Sequence, residues 1–306
     1  MATIWNYGSI NIDHVYQLDH LVQAGETISS RQYDVLLGGK GANQSVALAK
    51  AGATVRHVGY VGQQDAWVIR TLSEYGVNCD AIETVDGPSG HAMIQVDQEG
   101  ENAIIVFPGA NRSQPISHTL EKIIPHAGDW FITQNETNDI FKALTYAKAL
   151  GMKIALNPSP FEVDFVLQAL PLVDLLVVNE GEFYELMPEA HIESLDYAAL
   201  LELKTLIQKQ WPDKTIVITM GSMGAIWVSR AIVVWRPAPK VNVVDTTGAG
   251  DTFLGYLLAS IANEHPVEIA LERAVVASAL SVQRAGAAQS IPDEASVKEY
   301  LHSMNR

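Results

Sequence analysis

The stretch of residues 244–253 carries residue types suited to phosphate chemistry. It reads "VDTTGAGDTF", so two glycines and an alanine lie between two aspartates, directly ahead of an apolar run with helical spacing. We therefore expect Gly248, Ala249 and Gly250 at a helix N-terminus, where the first amides lack intrahelical partners and the helix dipole adds about half a positive charge. Small side chains let a phosphate come close to these amides, so the stretch predicts an anion hole formed without arginine or lysine.

Asp251 would lie beside this anion hole, and it has two interpretations. An acid in the first turn stabilises a helix through the dipole and needs no chemical role. The same carboxylate could act as a general base that takes a proton from a hydroxyl attacking a bound phosphoryl group. The P-loop motif G-x-x-x-x-G-K-[ST] occurs nowhere, and the stretch lacks the third glycine of G-x-G-x-x-G. A P-loop enzyme and a dinucleotide-dependent dehydrogenase are therefore disfavoured.

A second glycine cluster, "GGKGAN" at residues 38–43, also opens a predicted helix. Its glycines permit close approach of the backbone, and Lys40 and Asn43 are hydrogen-bond donors at its mouth. Asn11 and Asp13 follow the first predicted strand, and ligands of parallel α/β sheets bind at the carboxyl ends of strands. We expect these side chains to converge, although a lysine in such a loop can also be an ordinary solvated residue.

The elements that must position these residues alternate between strand and helix. Apolar runs with little alternation are typical of strands buried on both faces, and they include "TIWNYGSI", "TVRHVGYVG", "DWFITQ", "KIALNPSP", "VDLLVVNE" and "TIVITMGSMG". Helical patterns separate them in "GANQSVALAKAG", "DAWVIRTLSEYG" and at about 138–150, 180–187 and 195–211. This order predicts an α/β fold, with a doubly wound, mostly parallel sheet flanked by helices.

Two segments, at about 12–38 and 89–108, have strand patterns with no helix between the strands. The second reads as a hairpin around residues 98–101. We expect a small β-sheet lid inserted into a single domain that spans residues 1–306. Apolar residues of the lid, among them Met93, Ile104 and Ile105, exceed what a solvated hairpin needs, so one face should cover a substrate or a second subunit.

Composition narrows the class of partner and compartment. The 306 residues carry a formal net charge of −15, which argues against nucleic-acid binding but not against nucleotides. Cys79 is the only cysteine, so an intramolecular disulfide and a cysteine-based zinc site are excluded. No run of about 18 apolar residues and no signal-peptide pattern occurs. We expect a cytoplasmic protein with no membrane partner.

The pairing of "GGKGANQ" with "DTTGAGDTF" resembles the ribokinase-like (PfkB) family of carbohydrate kinases. Further matches are "GSINIDHVY", "PGAN", "ALNPSP", "NEGE" and "RAGAAQSIP", so the similarity runs from Gly8 to about Pro292. It implies an ATP-dependent kinase whose acceptor is D-ribose, with ribose 5-phosphate and ADP as products. Two alternatives stay open: a kinase of this family acting on another sugar or a nucleoside, and a non-catalytic sugar-binding regulator on the same fold.

The resemblance also assigns residues. Asp251 matches the catalytic base, and the amides of Gly248, Ala249 and Gly250 match the anion hole. The residues that match the sugar-binding set are Asn11, Asp13, Gly39, Lys40, Asn43 and Glu136. The residues that match the ATP site are Asn179, Glu182, Thr219, Gly221, Gly224, Gly248 and Gly250, the first two belonging to the N-x-x-E motif associated with Mg²⁺ and phosphate.

The resemblance further implies a monovalent cation, usually K⁺, near the anion hole, and a homodimer formed through the lid. Side-chain ligands of the cation would come from Asp245 and Ser290, and carbonyl ligands from Thr247, Ser281, Arg284 and Gly286. Two interpretations of single residues compete with these roles. Glu136 could cap the helix that follows it, and Asn179 with Glu182 could be an ordinary capping box.

Two positions depart from the family pattern. Trp67 stands where a glycine is usual after the second core strand, which bears on the identity of the sugar. Ala274 stands where a histidine near adenine is expected, which bears on the phosphate donor. Five tryptophans are expected to be packing residues rather than platforms for base stacking: Trp67, Trp130, Trp211, Trp227 and Trp235.

Overall fold

The computed structural model describes residues 2–192 and 194–304. The strands in chain order are β1 (Thr3–Tyr7), β2 (Asn11–Gln17), β3 (Gln32–Gly38), β4 (Thr54–Gly62), β5 (Asn78–Val85), β6 (Gly90–Val96), β7 (Asn102–Phe107), β8 (Trp130–Thr133), β9 (Lys153–Leu156), β10 (Leu175–Asn179), β11 (Thr215–Thr219), β12 (Ala225–Val228) and β13 (Val233–Arg236). The helices are α1 (Lys40–Lys50), α2 (Trp67–Glu74), α3 (Ser117–Leu120), α4 (Ile140–Ala149), α5 (Val163–Ala169), α6 (Glu180–Leu186), α7 (Tyr197–Gln210), α8 (Ala249–Ala262), α9 (Val267–Ser281) and α10 (Glu294–Met304).

Over these ranges a nine-stranded sheet has the order β13-β12-β11-β10-β9-β8-β1-β4-β5. The strands from β5 to β11 along this order pair in parallel, while β12 and β13 pair antiparallel at one edge. The fold is therefore the predicted doubly wound α/β fold with a mostly parallel sheet.

Helices cover both faces of this sheet, which explains the lack of alternation in the strand sequences. Along β10, Leu175 and Val177 belong to one apolar core, and Leu176 and Val178 belong to the other. The first core is shared with α1, α8 and α9, and the second with α4, α6 and α7. Because successive side chains of a strand point to opposite faces, burial of both faces makes every position apolar.

The lid is a separate four-stranded sheet with the order β3-β2-β6-β7. Strand β2 pairs antiparallel with β3 and parallel with β6, and β6 forms a hairpin with β7. Its strands lie in the two segments where the sequence predicts them. The start of β2 follows β1 and pairs with the end of β3, which leads into α1, so the lid lies over the carboxyl ends of the core strands.

The packing of α1 depends on two close approaches of glycine backbone. A Cβ atom on Gly41 would lie 2.5 Å from the Gly8 backbone, and a Cβ atom on Gly255 would lie 2.3 Å from Cβ of Ala47. Both distances are too short for any side chain. Glycine at these positions therefore lets α1 lie directly against the end of β1 on one side and against α8 on the other.

The strand pair β12–β13 and the strand β5 were not among the strands read from the sequence.

None of the described helices is both long and apolar enough to cross a bilayer.

Candidate active site

The helix start predicted at residues 248–250 is present, with α8 beginning at Ala249. Gly248 precedes it with φ +73°, a left-handed conformation that favours glycine. Its carbonyl accepts hydrogen bonds from both the amide and the hydroxyl of Thr252, at 2.8 and 2.9 Å. The Ala249 amide donates to the Thr246 carbonyl, whereas the amides of Gly248 and Gly250 have no acceptor among the described residues. Free amides at a helix N-terminus form a site for an anion.

Asp251 is buried immediately behind these amides, with 8% of its surface exposed. Its Oδ2 accepts a hydrogen bond from Nδ2 of Asn43 at 3.0 Å, and its Oδ1 accepts one from Nε2 of Gln44 at 2.9 Å. Burial raises the pKa of the Asp251 carboxyl, against the opposing effects of the Lys40 ammonium and of the two amide donors. A raised pKa brings a carboxylate closer to the range in which a general base is effective near neutral pH.

Lys40 begins α1 and acts electrostatically on two carboxylates from other parts of the chain. Its charge opposes the rise in pKa that burial causes at Asp251 and at Glu182, in α6. The Lys40 ammonium is therefore close enough to Asp251 and to Glu182 of the N-x-x-E motif to interact with both charges.

Glu136, which follows β8, contacts the turn between β1 and β2 and the start of α1. Its Oε2 accepts hydrogen bonds from the Ser9 hydroxyl and, at 3.1 Å, from the Lys40 amide. The alternative of a helix cap is wrong, because α4 begins after Asp139 and no side chain caps it. Glu136 thus joins two of the segments that carry the predicted sugar-binding residues.

Two of those residues, Asn11 and Gly39, are adjacent. Gly39 has φ +88°, and a Cβ atom there would lie 2.8 Å from the Asn11 amide nitrogen. The Asn11 Oδ1 accepts a hydrogen bond of 2.7 Å from Nδ2 of Asn111, and Oδ1 of Asn111 accepts one of 2.9 Å from the Ile10 amide. Asn111, from "PGAN", therefore fixes the orientation of the Asn11 amide.

Asp13 lies on the lid, with its carboxylate against Gly38. A Cβ atom on Gly38 would lie 2.0 Å from Asp13 Oδ2, so only glycine leaves room for the carboxylate. Burial raises the pKa of Asp13 to about 6, and the negative charge of Glu136 adds to the effect. An acid held in so unfavourable a place is typical of a binding site rather than of a structural contact.

Four of the seven residues predicted for the ATP site, Thr219, Gly221, Gly224 and Gly250, line a cavity of about 590 Å³ beside the start of α8. Its lining includes Thr219, Gly221 and Gly224 after β11, and Ala249 and Gly250 of α8. The remaining wall is mostly apolar and comes from residues 238–243 and from α9. A cavity of this size, apolar at one end and bordered by free amides at the other, has the shape of a nucleotide site.

Asn179 and Glu182 form a complete capping box at the start of α6, as one interpretation of the sequence held. Oδ1 of Asn179 accepts from the Glu182 amide at 2.9 Å, and Oε2 of Glu182 accepts from the Asn179 amide at 2.8 Å. Partial burial raises the pKa of Glu182. The box holds the Glu182 carboxylate at the carboxyl end of β10, and neither residue lines the cavity.

The two departures from the family pattern lie as follows. Ala274 is fully buried, and α9 meets the cavity through Val275, Ser278 and Ala279 instead. Trp67 is partly buried against the core between the sheet and α1. Its indole is therefore a packing group, as expected for the tryptophans of this chain.

The predicted cation ligands come from two loops that contact each other. Oδ1 of Asp245 accepts from the amide and the hydroxyl of Thr247, at 2.9 and 2.6 Å, and Oδ2 accepts from the Gly286 amide at 2.7 Å. Partial burial would raise the pKa of Asp245, but these hydrogen bonds hold it below its ordinary value. Ser290 and Ser281 direct their hydroxyls to the carbonyls of their own turns. No described cluster of three His, Cys, Asp or Glu residues offers a site of the divalent type.

Sequence reasoning missed the buried amides that surround Asp251. Gln44 donates both to Asp251 and, at 3.1 Å, to Oδ1 of Asn157, and its Oε1 accepts from Nε2 of Gln134 at 2.6 Å. The signal was present in "GANQ", where a glutamine follows the expected donor Asn43 on a helix that is otherwise small and apolar. A polar residue on the buried side of such a helix must have a partner.

A buried acid beside unpartnered helix amides, with a nucleotide-sized cleft on one side and polar groups under a lid on the other, suits phosphoryl transfer from a nucleotide to an alcohol. The class of protein is therefore a small-molecule kinase. The model of the pfkB family of carbohydrate kinases matches residues 1–294, and the chain belongs to this family.

Similar proteins include kinases of two related sugars. The chain is 31% identical to a ribokinase of Haemophilus influenzae, over 98% of this chain and 98% of the relative. It is also 31% identical to a deoxyribokinase of Salmonella typhimurium, over 96% and 97%. The structure of Arabidopsis thaliana ribokinase complexed with ribose and ATP superposes with a TM-score of 0.84, at 28% identity over 98% of this chain and 99% of that one.

Proposed function

We propose that this carbohydrate kinase transfers the γ-phosphoryl group of ATP to the primary hydroxyl of D-ribose, with Asp251 as general base. The observation that carries the proposal is the position of the Asp251 carboxylate, which is buried directly behind the free amides of Gly248 and Gly250. The similarity to ribokinases over nearly the whole chain supports ribose as the acceptor.

In the proposed reaction, Asp251 accepts the proton of the sugar hydroxyl as the hydroxyl oxygen bonds to the γ-phosphorus. The bond between the γ-phosphorus and the β–γ bridging oxygen breaks, and ADP leaves with that oxygen. The amides of Gly248 and Gly250 stabilise the charge on the transferring group. Lys40, whose positive charge acts on Asp251 and on Glu182, adds to this stabilisation.

The sugar in this proposal lies under the lid, among Asn11, Asp13, Lys40, Asn43 and Glu136. Short acidic and amide side chains can bind the vicinal hydroxyls of a furanose in pairs. Asn43 supports the assignment: its Nδ2 is bonded to Asp251, while its Oδ1 is buried and has no hydrogen-bond partner. A sugar hydroxyl would satisfy that oxygen.

ATP would occupy the 590 Å³ cavity, with its base between α9 and residues 238–243 and its γ-phosphate at the start of α8. Mg²⁺ would neutralise the phosphates, and Glu182 would be the carboxylate that interacts with it. The loops around Asp245 and Gly286 would hold K⁺, because one carboxylate with hydroxyl and carbonyl oxygens suits a monovalent cation better than a divalent one. A cytoplasmic location belongs to the proposal, since the reaction consumes intracellular ATP.

A homodimer would form through the lid face turned away from the sugar residues. Asn11 and Asp13 alternate with neighbours that point to the opposite face, and the strand register places Val35, Met93 and Ile105 on that face. Their exposed fractions are 43, 46 and 64%. An apolar sheet face of this kind is typical of an interface between subunits.

The related sugars are separated by a panel assay of ADP release with MgATP, each in K⁺ and in Na⁺. The acceptors would be ribose, deoxyribose, fructose, adenosine, pseudouridine and fructose 6-phosphate. We expect the highest kcat/KM with ribose, and stimulation by K⁺. Highest kcat/KM with deoxyribose or another acceptor would keep the mechanism and overturn the substrate. Sugar binding without turnover of any acceptor would favour the non-catalytic regulator.

A further inference from the structure

Three polar side chains lie in the apolar core behind the active site and are not explained by the reaction. Asn6 on β1, Ser45 on α1 and His57 on β4 are each fully buried, with 0% of their surface exposed. Nδ2 of Asn6 lies 2.9 Å from Oγ of Ser45, which lies 2.8 Å from Nδ1 of His57. Nε2 of His57 lies 3.1 Å from the carbonyl oxygen of Gly8. We call these three side chains the buried array.

The positions of the protons in the array follow from its chemistry. The Asn6 amide donates to Ser45 Oγ, and a backbone carbonyl can only accept, so His57 carries its proton on Nε2 and donates it to Gly8. Nδ1 of His57 is then an acceptor, and the Ser45 hydroxyl donates to it. Burial lowers the pKa of His57 to about 4, which agrees with a neutral ring in this arrangement. Every donor in the array therefore has one defined acceptor.

Hydrogen bonds connect the array without a break to Asp251. Oδ1 of Asn6 accepts from Nε2 of Gln134 at 3.1 Å, and the same nitrogen donates to Oε1 of Gln44 at 2.6 Å. Gln44 in turn donates to Asp251. Nε2 of Gln134 thus donates one hydrogen bond to Asn6 and one to Gln44. Exchanging the nitrogen and oxygen of the Gln134 amide would place its oxygen against two acceptors.

The array also holds the backbone on which the sugar-binding residues lie. Asn6 Nδ2 donates to the Gly41 carbonyl at 2.8 Å, in the first turn of α1, and His57 donates to Gly8, directly before the turn that leads to Asn11. At this point the backbones of Gly8 and Gly41 touch. One hydrogen-bonded unit therefore fixes the ends of β1 and β8 and the starts of α1 and α8 relative to one another.

We propose that Asn6, Ser45 and His57 are positioning residues for phosphoryl transfer, which act through Gln134 and Gln44 to hold Asp251 in line with the sugar hydroxyl. The inference deepens the proposed function and rests on Asp251 being the base. A purely structural explanation is less suitable, because three apolar side chains of similar volume would fill the same space without the cost of burying polar groups. A polar array gives a defined orientation, which apolar packing does not.

The first test compares Ser45→Ala with Thr119→Val. Thr119 is also fully buried and hydrogen-bonded, to Ile116 and Tyr60, but it is not connected to the array. Both variants should lower Tm, since Ser45→Ala leaves Nδ1 of His57 without a donor and Thr119→Val removes a buried hydrogen bond to Tyr60. We expect Ser45→Ala alone to lower kcat, by about 10-fold to 100-fold, with KM for sugar and for ATP changed less than about threefold. Equal kcat in the two variants would overturn the proposal.

The second test separates the two hydrogen bonds of His57. His57→Asn retains an acceptor for the Ser45 hydroxyl near the position of Nδ1. His57→Gln instead retains a donor for the Gly8 carbonyl near the position of Nε2. Asparagine removes more volume from the core, so His57→Asn should be the less stable variant. We nevertheless expect His57→Asn to keep kcat within about threefold of the wild type, and His57→Gln to fall at least about tenfold. If kcat followed Tm across the pair, the array would be structural and the proposal wrong.

Asp251→Asn, measured beside these variants, separates this inference from the proposed function. Should Asp251→Asn turn over at the normal rate, the base assignment itself fails and the positioning role fails with it. Should Asp251→Asn be inactive while Ser45→Ala and His57→Gln match Thr119→Val, only the positioning role fails. Loss of kcat in all three, with Thr119→Val active, is the result we expect.

Discussion

Asp13 should destabilise the free protein at neutral pH, and its replacement by asparagine should therefore stabilise it. The carboxyl is partly buried against Gly38 and near the charge of Glu136, and its pKa is raised from 3.8 to about 6. An acid with a higher pKa in the folded state contributes stability that is complete below about pH 3.8. That contribution is lost as the pH rises through 6.

The size of the effect follows from the shift. Roughly 2 pKa units correspond to about 3 kcal/mol of unfolding free energy at pH 8. For a chain of this length, with an unfolding entropy near 2 cal/mol/K per residue, that equals a rise in Tm of about 4–5 °C. Asp13→Asn should show this gain at pH 8, nearly as much at pH 6, and only about 0.5 kcal/mol, or about 1 °C, at pH 4.

The assay is thermal unfolding without sugar at these three pH values, with sugar binding measured by calorimetry at pH 8. Asp86→Asn is the matched control, because it also removes one carboxylate but from an exposed position in a surface bend; its Tm should stay close to that of the wild type. We expect Asp13→Asn to raise the Kd for ribose at least about tenfold, since a charged acceptor is lost. A variant less stable than the wild type at pH 8, or a gain of equal size at pH 4, would refute the reasoning.

Three further outcomes are expected. Gln44→Ala removes a hydrogen-bond donor that holds down the pKa of Asp251, so that pKa should rise. The fall of kcat at low pH should then begin at a higher pH, and a pH–rate profile with no such change would count against the base assignment. Gly224→Ala would place Cβ 1.9 Å from the Arg236 carbonyl oxygen, at a residue with φ +94°. Denaturant unfolding should therefore show a loss of about 2–4 kcal/mol in the free energy of unfolding, and an equally stable variant would contradict the geometry. Ile105→Asp should prevent the proposed dimer through the lid, so light scattering should give a dimer for the wild type and a monomer for the variant; a dimer that persists in the variant would exclude this face.

The core of the fold could be predicted because burial of both sheet faces leaves a direct mark on the sequence. Strand β10 is apolar from Leu175 to Val178 because its successive side chains enter two different cores, and only Asn179 at its exposed end is polar. The antiparallel edge was missed, although only residues 229–232 join β12 to β13. A connection that short can link only antiparallel strands, so the signal was in the spacing rather than in the residue types.

The parts of the candidate site that depend on local backbone conformation were predictable from the sequence. The parts that depend on hydrogen bonds between distant segments were not. The glycine clusters at 38–41 and 248–250 marked these turns, and the structure adds that Gly39 and Gly248 adopt positive φ. The contacts of Glu136 and Gln44 join residues about 90 positions or more apart along the chain, and local patterns do not encode such pairs. His57 could not be assigned at all, because a buried histidine in a strand has the same local sequence whether it packs or positions.

The central claim is that Asp251 is the base of an ATP-dependent sugar kinase, and one measurement tests it most directly: the kcat for ADP release from MgATP and ribose by Asp251→Asn, with ribose Kd measured on the same sample. Asparagine is close in shape and retains the site, but it cannot accept the proton. We expect kcat to fall by about 100-fold to 10,000-fold, with the Kd for ribose within about threefold of the wild type. Turnover at the wild-type rate by a variant that still binds ribose would contradict the account.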